Sequence, residues 1–330
     1  MLHRADVAMF AAKQAGAGHL QIWTPEVEER AVRRVDIAIG LRGALDTGRL
    51  ALAYQPIVRL SDGVIVGAEA LIRLAPAGVA AMTPGALAGL ANLVTPAELV
   101  EVAEDTGAID ELGRWVLSEA THQAALWRAM SRDVHVNVNM SVRQLSDPSF
   151  VDTVHAALMA ARLPADRLTV EITEGQLLIL GSPAELTVRR LRDLGVRLVI
   201  DDFGAGYSSL GYLTRLPVSG VKIDKSLLEQ VDVDRRARLV LRAVIGLVTG
   251  LGLTVVCEGI ETPAMARLVR DLGAQTGQGF GFYGALAPED MRRVLDDDVT
   301  PAIGQRATGR TIDLTSRDAG GLRLTRPPNR

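Results

Sequence analysis

The sequence predicts an α/β protein, a (β/α)8 TIM-like barrel in which one strand runs antiparallel. Three observations point there. From about residue 51 onward, short apolar runs alternate with helical stretches, the pattern of a sheet wrapped by helices. Asp62-Gly63 between the first two runs is a hairpin signal, which reverses one strand. Several runs also end on an acid, an amide or a lysine, and barrels of this class build their sites at the C-terminal strand ends.

The elements follow in order. Residues 1–13 read as a short amphipathic helix stopped by Gly16 and Gly18, and residues 19–23 fit a short strand. This segment is too small to bury a core and reads as the tail of another domain, over 1–23. Thr24-Pro25 opens the next helix, with Thr24 as N-cap and Glu26 and Glu28 favoured by the helix dipole; residues 24–48 serve as a linker. The first apolar run is 52–58, broken by Pro56, and the second is 64–71, ending near Glu69. An uncharged stretch rich in Ala, Gly and Pro spans 74–97, and its breakers argue for a loop with short helical pieces. Thr95-Pro96-Ala97-Glu98 is a capping box, Gly107 closes that helix, and 109–130 is a second helix.

Regular alternation follows. Strands are expected at 134–140, 168–172, 198–200, 221–223, 253–256 and, weakly, 279–283. Helices open at Asp147-Pro148, Ser182-Pro183, Asp234, Thr262-Pro263 and Pro288. The barrel therefore covers 49–298, and the polar Arg-, Gly- and Pro-rich tail 299–330 is expected to be disordered.

Composition narrows the function. The 330 residues are 48% hydrophobic but 4% aromatic, with net charge -3 and no basic stripe with interleaved aromatics, so a groove for a nucleic-acid polymer is not expected. The lone Cys257 excludes an internal disulfide framework and fits a reducing compartment. No apolar run reaches the ~18 residues of a membrane span, and no signal-peptide pattern opens the chain. A cytoplasmic location is expected.

The chemistry centres on residues 197–210, Arg-Leu-Val-Ile-Asp-Asp-Phe-Gly-Ala-Gly-Tyr-Ser-Ser-Leu. Two adjacent aspartates at a strand end repel unless a positive charge sits between them. The other strand ends contribute Glu69, Asn139, Glu171, Lys222 and Glu258, with Gln278 just before the last strand. Helix capping explains one acid at such a position, but not a ring of them. Hard oxygen donors without imidazole or thiolate select Mg²⁺ or Mn²⁺ over zinc. The carboxylates suffice for two ions, with Asp201 as the bridge and Asp202 on one side; such a pair clamps an in-line phosphoryl displacement. Lys222 can orient the attacking water or offset developing charge. It equally fits a barrel lysine that neutralises surplus carboxylates, and both roles can hold together.

Tyr54-Gln55-Pro56-Ile57-Val58 and Gly67-Ala68-Glu69-Ala70-Leu71-Ile72-Arg73 resemble the opening of an EAL domain, the cyclic di-GMP phosphodiesterase family. The likeness continues through Asn139-Met140-Ser141, Glu171-Ile172-Thr173-Glu174, the twin-aspartate stretch, Lys222-Ile223-Asp224, Cys257-Glu258-Gly259-Ile260-Glu261 and Gln278-Gly279. It implies hydrolysis of cyclic di-GMP to 5′-pGpG by in-line attack of a hydroxide formed on two Mg²⁺ or Mn²⁺ ions. It implies Glu69, Asn139, Glu171 and Asp201 as ligands of one ion, and Asp201, Asp202 and Glu258 as ligands of the other. Lys222 stands beside the nucleophilic water, and Glu258 has also been cast as its activator. Glu174 steadies the loop after the aspartates. Arg73 faces a phosphate, while Gln55 and Gln278 face guanine or nearby groups; for each glutamine, service to local backbone is an equal alternative. The resemblance also implies a homodimer through the loop 204–210 and the helix after it. Arg4 to Lys13 resembles the last helix of a GGDEF diguanylate cyclase domain, without the segment carrying that family's active loop, so cyclic di-GMP synthesis is not expected.

Two departures from the family pattern stand out. Leu74-Ala75-Pro76 replaces the usual tryptophan and His-Pro after Arg73, and Ala205 stands where threonine or serine is common. Altered access or tuning is expected rather than lost chemistry. The rival reading is a cyclic di-GMP receptor without turnover. Such receptors usually lack a metal ligand, whereas every ligand position here is filled. An enolase-like barrel would need a Lys or His base, for which Lys222 is the one candidate.

Overall fold

A computed structural model describes Met9, Leu20 and residues 22–74, 94–178, 181–206 and 211–296. Outside the described residues lie nearly all of the expected GGDEF-like remnant, the middle of the small-residue connection, part of the loop 204–210 and the expected disordered tail. Of the strand expected at 19–23, the described Leu20, Ile22 and Trp23 are irregular backbone. Trp23 Nε1 instead donates to Glu28 Oε2 at 3.1 Å.

Eight strands close a barrel in sequence order. They are β1 (Leu50–Arg59), β2 (Ile65–Leu74), β3 (His135–Asn139), β4 (Leu168–Thr173), β5 (Arg197–Phe203), β6 (Gly220–Ile223), β7 (Thr254–Cys257) and β8 (Thr276–Gly277). β1 is antiparallel to both β2 and β8, and every other pairing is parallel. The hairpin expectation is thus met. All four residues of β6 are buried, the continuous burial expected of a strand covered on both faces.

The helices are α1 (Pro25–Thr47), α2 (Pro96–Thr106), α3 (Ile109–Ala129), α4 (Val142–Ser146), α5 (Phe150–Ala161), α6 (Glu174–Leu178), α7 (Ser182–Leu194), α8 (Gly211–Arg215), α9 (Arg235–Gly250), α10 (Pro263–Asp271) and α11 (Pro288–Asp296). Their starts follow local chemistry. Thr24 and Thr262 accept the amides of Val27 and Met265, and Thr95 with Glu98 forms the complete capping box. α1 is no free-standing linker. Ile37, Leu41 and Ala44 are buried in the barrel's core, and Arg33 grips Glu98 of α2 at 2.8 Å.

Three expectations need correction. Pro56 does not break β1. It pairs with Ala68 in mid-strand. Tyr54 bonds Leu286 on the β8 side of β1, so Pro56, two residues on, turns its donor-less nitrogen to that same side. There the pairing with β8 begins only at Val58. Glu69 is not at the end of its strand, because β2 continues to Leu74. The last strand is not 279–283. β8 is Thr276–Gly277, and the following residues form a turn in which Phe282 and Tyr283 both donate to Gly279 O. Gln278 therefore follows its strand directly, as Glu258 follows β7.

Candidate active site

Period-two alternation aims the ring residues into the barrel. The register levels some of them and steps others: Asn139 is opposite Glu171, whereas Asp201 is opposite Thr173, two residues further along. Lys222 is at the centre. From β6 its Nζ reaches Glu69 Oε2 at 3.0 Å, Glu171 Oε2 at 3.1 Å, Asp201 Oδ2 at 3.1 Å and Glu258 Oε1 at 2.8 Å. Burial works against the lysine's charge, but these carboxylates outweigh it and hold its pKa above the ordinary value.

Four carboxylates around one ammonium leave an excess of negative charge in a buried space, an arrangement that is costly without further cations. The carboxylates divide the strain. Burial pushes Glu171 and Asp201 upward against the pull of Lys222. Glu69 is held low, since Lys222, Gln278 and Asn139 together outweigh its burial. Glu258 is pushed up to about 7 by burial, with Asp201 and Glu69 adding to it and Lys222 opposing.

These residues fit divalent ions. Glu69, Glu171 and Asp201 bring one oxygen each within 4.8 Å of one another, and so do Asp201, Asp202 and Glu258. Both sets are all-oxygen, the donor type of Mg²⁺ and Mn²⁺, and Asp201 belongs to both. Asn139 Nδ2 donates to Glu69 Oε1 at 2.9 Å, which places the Asn139 amide beside the first set. Asp202 takes a left-handed backbone, φ 55°, and its amide donates to Asp201 Oδ1 at 2.9 Å. For a residue other than glycine this conformation is strained, and here it accompanies the turn of two neighbouring carboxylates toward one space.

The flanking residues are equally well placed. Gln278 Nε2 donates to Glu69 Oε2 at 2.8 Å and to Gln55 Oε1 at 3.0 Å, and Gln55 Nε2 donates to Tyr283 O at 3.2 Å. The glutamines thus join the ring to one another. Gln278 Oε1 is buried and has no protein partner. Arg73 is half-buried, donates to Ile72 O at 2.8 Å, and has its pKa lowered by burial against the Glu69 charge. Glu174 Oε2 accepts the Gly204 amide at 2.9 Å, which ties the start of the loop after the aspartates.

Asn137 escaped the sequence reading. Its Nδ2 donates to Glu171 Oε1 at 2.7 Å and fixes that carboxylate. The signal was available, because Asn137 and Asn139 are two apart on one strand and share a face.

The comparisons with known proteins agree with this geometry. Signaling protein YkoW of Bacillus subtilis is 32% identical over 295 residues, 89% of this chain and 35% of that protein. The bifunctional diguanylate cyclase/cyclic di-GMP phosphodiesterase MucR of Pseudomonas aeruginosa is 34% identical over 281 residues, 85% of this chain and 39% of that protein. The chain thus spans well under half the length of both. A solved structure of the MucR phosphodiesterase, in complex with c-di-GMP, superposes with a TM-score of 0.69 at 34% identity, covering 77% of this chain and 99% of that one. The family model described as EAL domain matches residues 40–285, and the chain belongs to that family.

Proposed function

We propose that this chain hydrolyses cyclic di-GMP to 5′-pGpG. The observation that carries the reading is the filled ring: Glu69, Glu171, Asp201 and Glu258 close on one buried lysine, Asn139 bonds Glu69, and Asp202 joins Asp201 and Glu258, so every ligand position the family pattern asks for is present. Glu69, Asn139, Glu171 and Asp201 would hold one Mg²⁺ or Mn²⁺ ion, and Asp201, Asp202 and Glu258 would hold the second. Bound there, the ions supply Lewis-acid charge for an in-line displacement at phosphorus. Glu258 takes a proton from the attacking water, and Lys222 holds positive charge beside it. Arg73 turns its guanidinium fork to a phosphate, while Gln55 and Gln278 meet a guanine edge. Glu174 anchors the loop that begins at Gly204.

We also read 49–298 as the catalytic barrel and 1–23 as the end of a GGDEF-like domain. The active form is a homodimer. The interface proposed is the loop 204–210 with the helix that follows it, as the family resemblance implies. Light scattering that finds a concentration-independent monomer at full activity would contradict the dimer.

The deciding experiment incubates purified protein with cyclic di-GMP, with and without Mn²⁺ or Mg²⁺, and separates the products by chromatography. Metal-dependent pGpG is the expected result. Intact nucleotide that binds nonetheless would make the chain a receptor.

A further inference from the structure

Phe280 is 70% exposed, whereas Phe150, Phe203 and Phe282 are all buried. It occupies the tip of the turn after β8, on the same barrel face as the carboxylate ring and two residues beyond Gln278. Loop flexibility does not explain the exposure, because the turn is fastened to the segment that carries Glu258. Gln278 N donates to Cys257 O at 2.9 Å, Ile260 N to Gln278 O at 3.0 Å, and Gly281 N to Ile260 O at 2.8 Å. The glycines on either side permit the close approach. A Cβ on Gly279 would lie 2.3 Å from Ile260 O, and one on Gly281 would lie 2.8 Å from Glu261 C. The backbone of Phe280 is thereby fixed relative to Glu258 and Gln278, while its ring faces water.

A rigidly mounted, solvent-facing aromatic side chain is a stacking platform for a flat partner. We propose that Phe280 is a substrate-binding residue that stacks on one purine base of the cyclic dinucleotide. This rests on the phosphodiesterase reading for the identity of the ligand, but not on turnover.

The test compares wild type, Phe280→Ala and Phe280→Trp for turnover of cyclic di-GMP and for Mn²⁺ affinity by calorimetry. Phe280→Ala should raise KM for cyclic di-GMP roughly 5-fold or more, the equivalent of about 1 kcal/mol of stacking, with kcat within about twofold. Its Mn²⁺ affinity should not fall in parallel, and Phe280→Trp should restore the low KM. An unchanged KM in Phe280→Ala, a parallel loss of Mn²⁺ affinity, or a Phe280→Trp that leaves KM raised overturns the stacking role and leaves the phosphodiesterase reading intact. If wild type binds cyclic di-GMP without turnover, the same comparison is made on Kd by calorimetry, where an unchanged Kd overturns it. A wild type that neither binds nor hydrolyses the dinucleotide overturns both.

Discussion

Lys222 has four carboxylate oxygens within 3.1 Å and is 1% exposed. Replacing it by methionine keeps the volume but leaves the carboxylates facing one another, a change that costs about 3–5 kcal/mol for a buried charge cluster. Lys222→Met without metal should therefore melt well below wild type, and Mn²⁺ should raise its melting temperature by more than it raises that of wild type. Equal metal-induced shifts, read by differential scanning fluorimetry, would argue against shared neutralisation. Glu69→Ala removes an oxygen that Lys222 and Gln278 both contact. It should abolish turnover and weaken Mn²⁺ binding by calorimetry, and ordinary activity in that variant would remove Glu69 from the ligand set. At this scale the sequence was highly legible, since every ring residue it nominated converges. What it hid was support. Asn137 fixes Glu171 from one pleat below Asn139, and only the closed barrel makes the two neighbours in function.

At the scale of elements, caps were easier to read than strand ends. Thr24, Thr95 and Thr262 open α1, α2 and α10 as their side-chain oxygens dictate. Thr95→Ala should cost about 1 kcal/mol of stability by denaturant unfolding, and no loss would mean that Glu98 is held by Arg33 alone. β8 was misplaced because apolar periodicity finds runs, and the run after Gln278 is a turn. Its two-residue strand carries too little pattern to be seen. Gly279 marks the place. At φ 152° and with Ile260 O in the path of a Cβ, Gly279→Ala should destabilise by about 2–4 kcal/mol. Because this turn also positions Gln278, turnover should fall with it; a variant as stable as wild type would show that the turn can move away from Ile260.

Across the whole molecule, the face opposite the ring has its own electrostatics. His135 begins β3, shares a 3.2 Å contact with Arg197 Nη1, and has its pKa pushed down to about 4 by burial and by the charges of Arg197 and Arg167. The folded state thus resists a proton that the unfolded chain accepts near pH 6.5. The related stability is complete above that value and is lost as pH falls toward 4. For this partly exposed ring the loss by pH 5 should be about 1 kcal/mol after solvent screening. Urea unfolding at pH 7 and pH 5 measures it, and His135→Gln should remove most of the difference. The reversed first strand has a mechanical consequence. In β2 through β8 the chain rises toward the ring, but β1 descends from it, with Leu50 opposite Leu74 and Ala51 opposite Arg73. α1 therefore delivers the polypeptide directly onto the rim where Arg73 stands, so a twist or pull on that helix reaches the mouth of the site across a single pair of strands.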